Sequence, residues 1–99
     1  MSQDAVKVAP DMYKVLLEND AVRVVDFRMK QGAKSEMHSH PQSVAVVLND
    51  QLLKFTFPNG KSDVVDLKRG QAVWLDALSH SVENTGTEDA AGVLVELKK

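Results

Sequence analysis

The chain has 99 residues, 43% of them hydrophobic and 26% charged, which is the balance of a globular domain and excludes a disordered tail. That length suits one small domain, able to bury roughly 60–65% of its unfolded surface. The formal net charge is −2 and the only adjacent basic pairs are Lys68–Arg69 and Lys98–Lys99, so nothing supplies the positive patch that a nucleic acid or anionic membrane requires.

Cysteine is absent, which removes disulfides, thiolate nucleophiles and Cys-built metal sites. The longest apolar run, Val44–Leu48, is far short of the ~20 residues of a membrane helix. The first residues show no basic start followed by an apolar run, so a soluble cytoplasmic protein is expected.

Taken in order, the chain reads as strands and turns. Residues 1–10, ending at Pro10, form a flexible N-terminal arm, and residues 11–99 form the domain. Met12–Leu17 is a short strand ending at the turn pair Asn19-Asp20. Ala21–Lys30 alternates, with Val22, Val24 and Asp26 on one face and Arg23, Val25, Phe27 and Met29 on the other. Val44–Leu48 is a continuous β-branched run suited to a buried strand. Leu52–Phe57 and Ser62–Leu67 flank Pro58-Asn59-Gly60-Lys61, a strong hairpin signal. Ala72–Leu75, Ser81–Asn84 and Gly92–Leu97 complete the series. About eight short strands predict an all-β fold, an antiparallel sandwich or barrel.

The chemistry rests on three histidines. His38 and His40 form an H-x-H pair, and at period 2 both side chains point to one face of a strand. His80 stands at the start of another predicted strand, which an antiparallel barrel could bring beside the first. Three neutral imidazoles suit one divalent transition metal ion (Fe, Zn, Mn, Ni or Cu) and leave open positions for water or substrate. Each ligand binds as neutral imidazole, so metal affinity is expected to fall below about pH 6.5.

Gly32 stands six residues before His38, giving G-x5-H-x-H, and Gly70, His80 and Asn84 give G-x9-H-x3-N. With these two half-motifs the chain resembles the cupin superfamily, small jelly-roll β-barrels, over roughly Val15 to Leu97. The family's glutamate ligand would fall at position 44 or 45, where this chain has Val44 and Ala45. The resemblance therefore implies a site of His38, His40 and His80 alone, as in cupins of the cysteine dioxygenase and acetylacetone dioxygenase types. It also implies a homodimer, with Met12–Leu17 as a natural exchange segment at an open sheet edge.

Glu36 and Gln42 share parity with the H-x-H pair, so on a regular strand both could face the interior, as a fourth ligand and at the pocket mouth. Pro41 between them interrupts that regularity. Asn84 is expected to brace the site by hydrogen bonding. Trp74, Phe27, Phe55 and Phe57 are expected to fill the core, Asp76 to be a solvated strand-end carboxylate, and Glu96 to face outward. The serines beside the histidines sit in no nucleophile elbow. The functions that survive are a metal-dependent enzyme, a dioxygenase on a small carbonyl or acid substrate or else a hydrolase or isomerase, a non-catalytic module binding a small ligand or metal, and a degenerate barrel whose histidines bind nothing and serve packing or assembly.

Overall fold

The computed structural model describes residues 3–98, and in it the β-rich sequence becomes nine antiparallel strands. They are β1 (Tyr13–Glu18), β2 (Val22–Met29), β3 (His38–His40), β4 (Ser43–Val47), β5 (Gln51–Thr56), β6 (Ser62–Leu67), β7 (Ala72–Leu75), β8 (Leu78–Asn84) and β9 (Ala90–Leu97). Two sheets form, one in the order β1-β2-β9-β4-β7 and the other β3-β8-β5-β6. The fold is the expected jelly roll, with one strand more than eight. The addition is β3, the H-x-H segment itself, cut to three residues because Pro41 can donate no ladder bond.

Alternation decides which side chains fill the space between the sheets. Along β2, Val25, Phe27 and Met29 are buried, as the sequence period requires. They meet Leu53 of β5, Val82 of β8 and Leu94 of β9 in one core. The hairpin between β5 and β6 turns where expected. Gly60 there has φ +86°, a conformation that L side chains rarely adopt, and Lys61 N–H donates to Asn59 Oδ1 at 3.0 Å.

Two expectations from composition change. Trp74 is 51% exposed rather than core, because Val73 and Leu75, its neighbours on edge strand β7, take the inward parity. Its Nε1–H donates instead to Asp76 Oδ1, 2.9 Å away. The segment expected as an arm is built onto the sheets from Gln3 onward, residues 1 and 2 lying outside the described part. Asp4 forms a β-bridge with Ser39, and a single helical turn, α1 (Ala5–Val8), seats Ala5 at 0% exposure. No described helix is long and apolar enough to cross a membrane.

Core and edge positions should respond differently to truncation. Met29→Ala, a buried deletion, is expected to cost about 2–5 kcal/mol. Val64→Ala, 62% exposed on the edge strand β6, should cost under about 1 kcal/mol. Urea unfolding of both variants checks the contrast, and equal losses would place the core wrongly.

Candidate metal centre

The antiparallel register of β3 and β8 sets His38 directly opposite His80, and His40 opposite Leu78. With His40 two residues along the same face, the three rings gather at one place, their centroids 4.9–5.2 Å apart. One nitrogen from each lies within 4.8 Å of the others. Rotation about side-chain bonds brings such nitrogens to the roughly 3.4 Å separation of a tetrahedral ion with ~2.1 Å bonds. All three residues are buried, at 0%, 4% and 2% exposure for His38, His40 and His80.

Two of the imidazoles are oriented by acceptors on their outer nitrogen. His38 Nδ1–H donates to the Glu36 carbonyl oxygen at 2.8 Å. His40 Nδ1–H donates to Glu96 Oε2 at 3.1 Å. A carbonyl and a carboxylate can only accept, so the proton sits on Nδ1 and the lone pair on Nε2 in both rings. Metal-ligating histidines show this arrangement. The Nε2 of His38 accepts from the Tyr13 hydroxyl at 3.2 Å.

His80 differs. Both of its ring nitrogens are buried without a hydrogen-bond partner among the described residues. A neutral imidazole carries one donor and one acceptor, and leaving each unsatisfied in the interior costs roughly 1–3 kcal/mol. The Phe55 ring lies 4.5 Å from the imidazole, centroid to centroid, and supplies packing but no strong acceptor. A metal ion taking one nitrogen would relieve half of the deficit, so the donor set fits a transition metal on chemistry as well as on position.

Burial sets the protonation state. Desolvation lowers the His38 imidazole to about 4, partly offset by its bond to the Glu36 carbonyl. Desolvation, with His40 and His38 as further causes, lowers His80 to about 3. The ordinary value behind the expected loss of metal below about pH 6.5 therefore does not hold for these two rings. They stay neutral, as ligands must be, well into acid. Tyr13 is pushed above the usual phenol range by burial and by the Glu96 charge, so its hydroxyl remains a neutral donor.

Other site residues fall where the local backbone sends them. The Glu36 side chain is exposed, and only its carbonyl reaches the site, because β3 begins at His38 and parity does not extend back to position 36. Gln42 is exposed as well, since the break at Pro41 separates it from the H-x-H strand. It does not line the interior cavity. Asn84 is buried, but its amide Nδ2 donates to the carbonyls of Met29 and Glu88, at 3.0 and 2.9 Å. It bonds to no histidine through that amide, and it ties the end of β8 to the end of β2 and to the loop before β9. Its backbone does the linking between motifs, as Asn84 N–H donates to Ala33 O and Asn84 O accepts from Gly32 N–H.

Glu96 reverses its expectation. It faces inward at 1% exposure, because it shares parity with Ala90, Gly92 and Leu94 on β9, which all pack inside. That parity was the available signal, blurred by Val93, Val95 and Leu97 making the opposite face equally apolar. Tyr13 is the other residue the sequence left unmarked. It is the single tyrosine of the chain and the one buried position of β1.

Beside the histidines lies a cavity of about 100 Å³, walled by Phe27, Leu53, Phe55, Val82 and Leu94 among others. Its polar lining groups are Tyr13, His40, Gln51 and His80, and no Asp, Glu, Lys or Arg among the described residues reaches it. The space takes a molecule of only a few heavy atoms.

A scan against protein-family models finds no match to the chain. A search of curated proteins finds none either. Solved structures do match. A cupin domain from Bordetella pertussis Tohama I is 26% identical, with 89% of this chain and 93% of that one aligned and a TM-score of 0.81. An uncharacterised conserved protein with a double-stranded β-helix domain from Klebsiella pneumoniae is 26% identical, covering 87% and 70% at a TM-score of 0.67. A cupin superfamily protein from Desulfitobacterium hafniense DCB-2 aligns over 89% and 77% at 14% identity and a TM-score of 0.65.

Two outcomes follow from the histidines' surroundings. His80→Leu removes two unsatisfied buried atoms, so in metal-free protein it should raise stability, by about 1 kcal/mol or more. A loss of stability would mean that His80 is satisfied in solution. The pH dependence has a definite sign. The unfolded chain protonates these imidazoles near pH 6.5, whereas the folded chain holds them neutral down to about 4 and about 3. Unfolding thus takes up protons, and metal-free stability should fall as pH drops from 6.5 towards 4, by on the order of a few kcal/mol. Denaturant midpoints at pH 7 and 4.5 check this, with His38→Ala and His80→Leu flattening the slope.

Proposed function

We propose that this chain, a small protein of the cupin superfamily, holds one divalent transition-metal ion between His38, His40 and His80. A small molecule binds beside the ion in the apolar interior. The observation that carries this reading is His80, whose two buried nitrogens have no hydrogen-bond partner among the described residues while they face two imidazoles with inward lone pairs. The ion would supply Lewis acidity, or electrons to O₂ if it is iron.

The chain's own residues account for the rest. The Glu36 carbonyl and Glu96 fix the two rings of the H-x-H strand so that little reorganisation accompanies binding. Tyr13 caps the lone pair of His38 in the metal-free chain. With that nitrogen engaged by an ion, the Tyr13 hydroxyl would be free to donate to whatever enters the cavity. The apolar wall excludes water and offers no charge of its own, so the ion would be the group that holds the oxygen of a small carbonyl or acid substrate. A dioxygenase acting on such a carbonyl or acid substrate is the enzymatic form of the proposal, with a hydrolase or isomerase as its redox-neutral counterpart. One observation favours a second reading, a cytoplasmic module that binds its ligand without turnover. No carboxylate or amine among the described residues lines the cavity to serve as general acid or base.

The homodimer belongs to this proposal too. β1 is an edge strand of the five-stranded sheet, and Val15, Leu16 and Leu17 on it are exposed, a surface that a second copy would cover.

Metal content per chain, measured by elemental mass spectrometry on untagged protein, tests the reading. Close to one ion is expected in the wild type and none in the His38→Ala, His40→Ala double variant. Absence of metal after reconstitution with each candidate ion would sink it. Turnover of small carbonyl compounds under air but not under nitrogen would separate the dioxygenase from the binding module.

A further inference from the structure

We infer that Asp4 is a positioning residue for the metal centre, acting on His40 through Arg23 and Glu96. The inference rests on the three-histidine reading and adds to it a group from outside the barrel interior. Glu96 lies between two partners. Its Oε2 accepts from His40 Nδ1–H, and its Oε1 accepts from Arg23 Nε–H at 2.8 Å. Arg23 in turn donates from Nη1 and Nη2 to the two carboxylate oxygens of Asp4, at 2.9 and 2.5 Å. The row runs imidazole, carboxylate, guanidinium, carboxylate, and passes from side chains 2% exposed at His40 and Glu96 to 17% at Arg23 and 23% at Asp4.

The order of charges gives the row its effect. A guanidinium paired on both edges divides its donor strength between two carboxylates. With Asp4 neutralised, Arg23 draws on Glu96 alone. The Glu96 carboxylate then accepts less strongly from His40, and the imidazole becomes a poorer electron donor to an ion on Nε2. The negative charge of Asp4 also offsets Arg23, leaving the three charged groups at a net −1, which favours a dipositive ion nearby.

The backbone closes the same circuit. Ser39, the residue between His38 and His40, bridges to Asp4, and its N–H donates to Gln3 O at 2.6 Å. The segment that carries Asp4 therefore grips the ligand strand directly, while its side chain reaches the same strand through two intervening residues. Arg23 can serve both neighbours because it shares the inward face of β2 with Val25, Phe27 and Met29, opposite Glu96 in register. Lysine could not replace it, having no planar fork to hold two carboxylates.

Zinc affinity, measured by competition with a chromophoric chelator, tests the inference. Asp4→Asn should weaken binding roughly fivefold or more, Asp4→Glu should restore most of it, and Arg23→Lys should weaken it as well. A structural control is Ala5→Ser, which loosens the same segment at its buried anchor without altering charge. It should lower stability and leave zinc affinity within about twofold of wild type. The Nδ1 nitrogen resonance of His40 should shift in Asp4→Asn and not in Ala5→Ser. Wild-type affinity in Asp4→Asn, or an equal loss in Ala5→Ser, overturns the inference while the metal centre stands. If Asp4→Asn fails to fold, full affinity in Arg23→Lys overturns it. A wild-type chain that binds no zinc overturns the metal centre and this inference with it.

Discussion

The cross-strand pair of His38 and His80 is the contact on which the centre depends. Residues opposite each other in an antiparallel ladder have their Cβ atoms about 4.5–5.5 Å apart, close enough for two imidazoles to face one ion. Period-2 alternation then adds His40 on the same face with no further constraint. A slip of one residue between β3 and β8 would turn one set of side chains outward. The register is held from both sides. Ser35 N–H donates to Val82 O and Val82 N–H to Ser35 Oγ, while Ser39 and Ser79 share a 2.7 Å hydrogen bond at the middle of the pair.

Around this contact the fold spends stability on readiness. Glu96 is a buried carboxylate held by Arg23 and His40, and burying such a charge is worthwhile only when every oxygen is satisfied. His80 keeps two unsatisfied nitrogens in the same interior. A core built for stability alone would place Leu or Phe at both positions. Strained or unsatisfied groups of this kind concentrate where a ligand completes them.

Most of the fold could be read in the sequence because its signals are local. Alternation along Ala21–Lys30 gave the buried face of β2, and Asn59-Gly60 gave the hairpin. The convergence of the histidines was legible through two spacings and a resemblance to cupins. What escaped was governed by tertiary context. The inward turn of Glu96 was hidden because both faces of β9 are apolar. Pro41 ended a strand that parity alone would have continued to Gln42, and the same strand began too late to carry Glu36. Tyr13 and Asp4 come to the centre through pairings of distant segments, for which no local pattern exists. Trp74 took the outward parity on an edge strand despite its size.

Three imidazoles meeting on one ion leave a distinct spectroscopic signature. X-ray absorption at the zinc edge of the zinc-loaded wild-type chain tests for it most directly. Three histidine nitrogens at ~2.0–2.1 Å, with the outer-shell scattering of intact imidazole rings, are expected in the wild type, and two in His80→Leu. A spectrum with one or no imidazole in the wild type, or one unchanged by His80→Leu, would contradict the three-histidine centre.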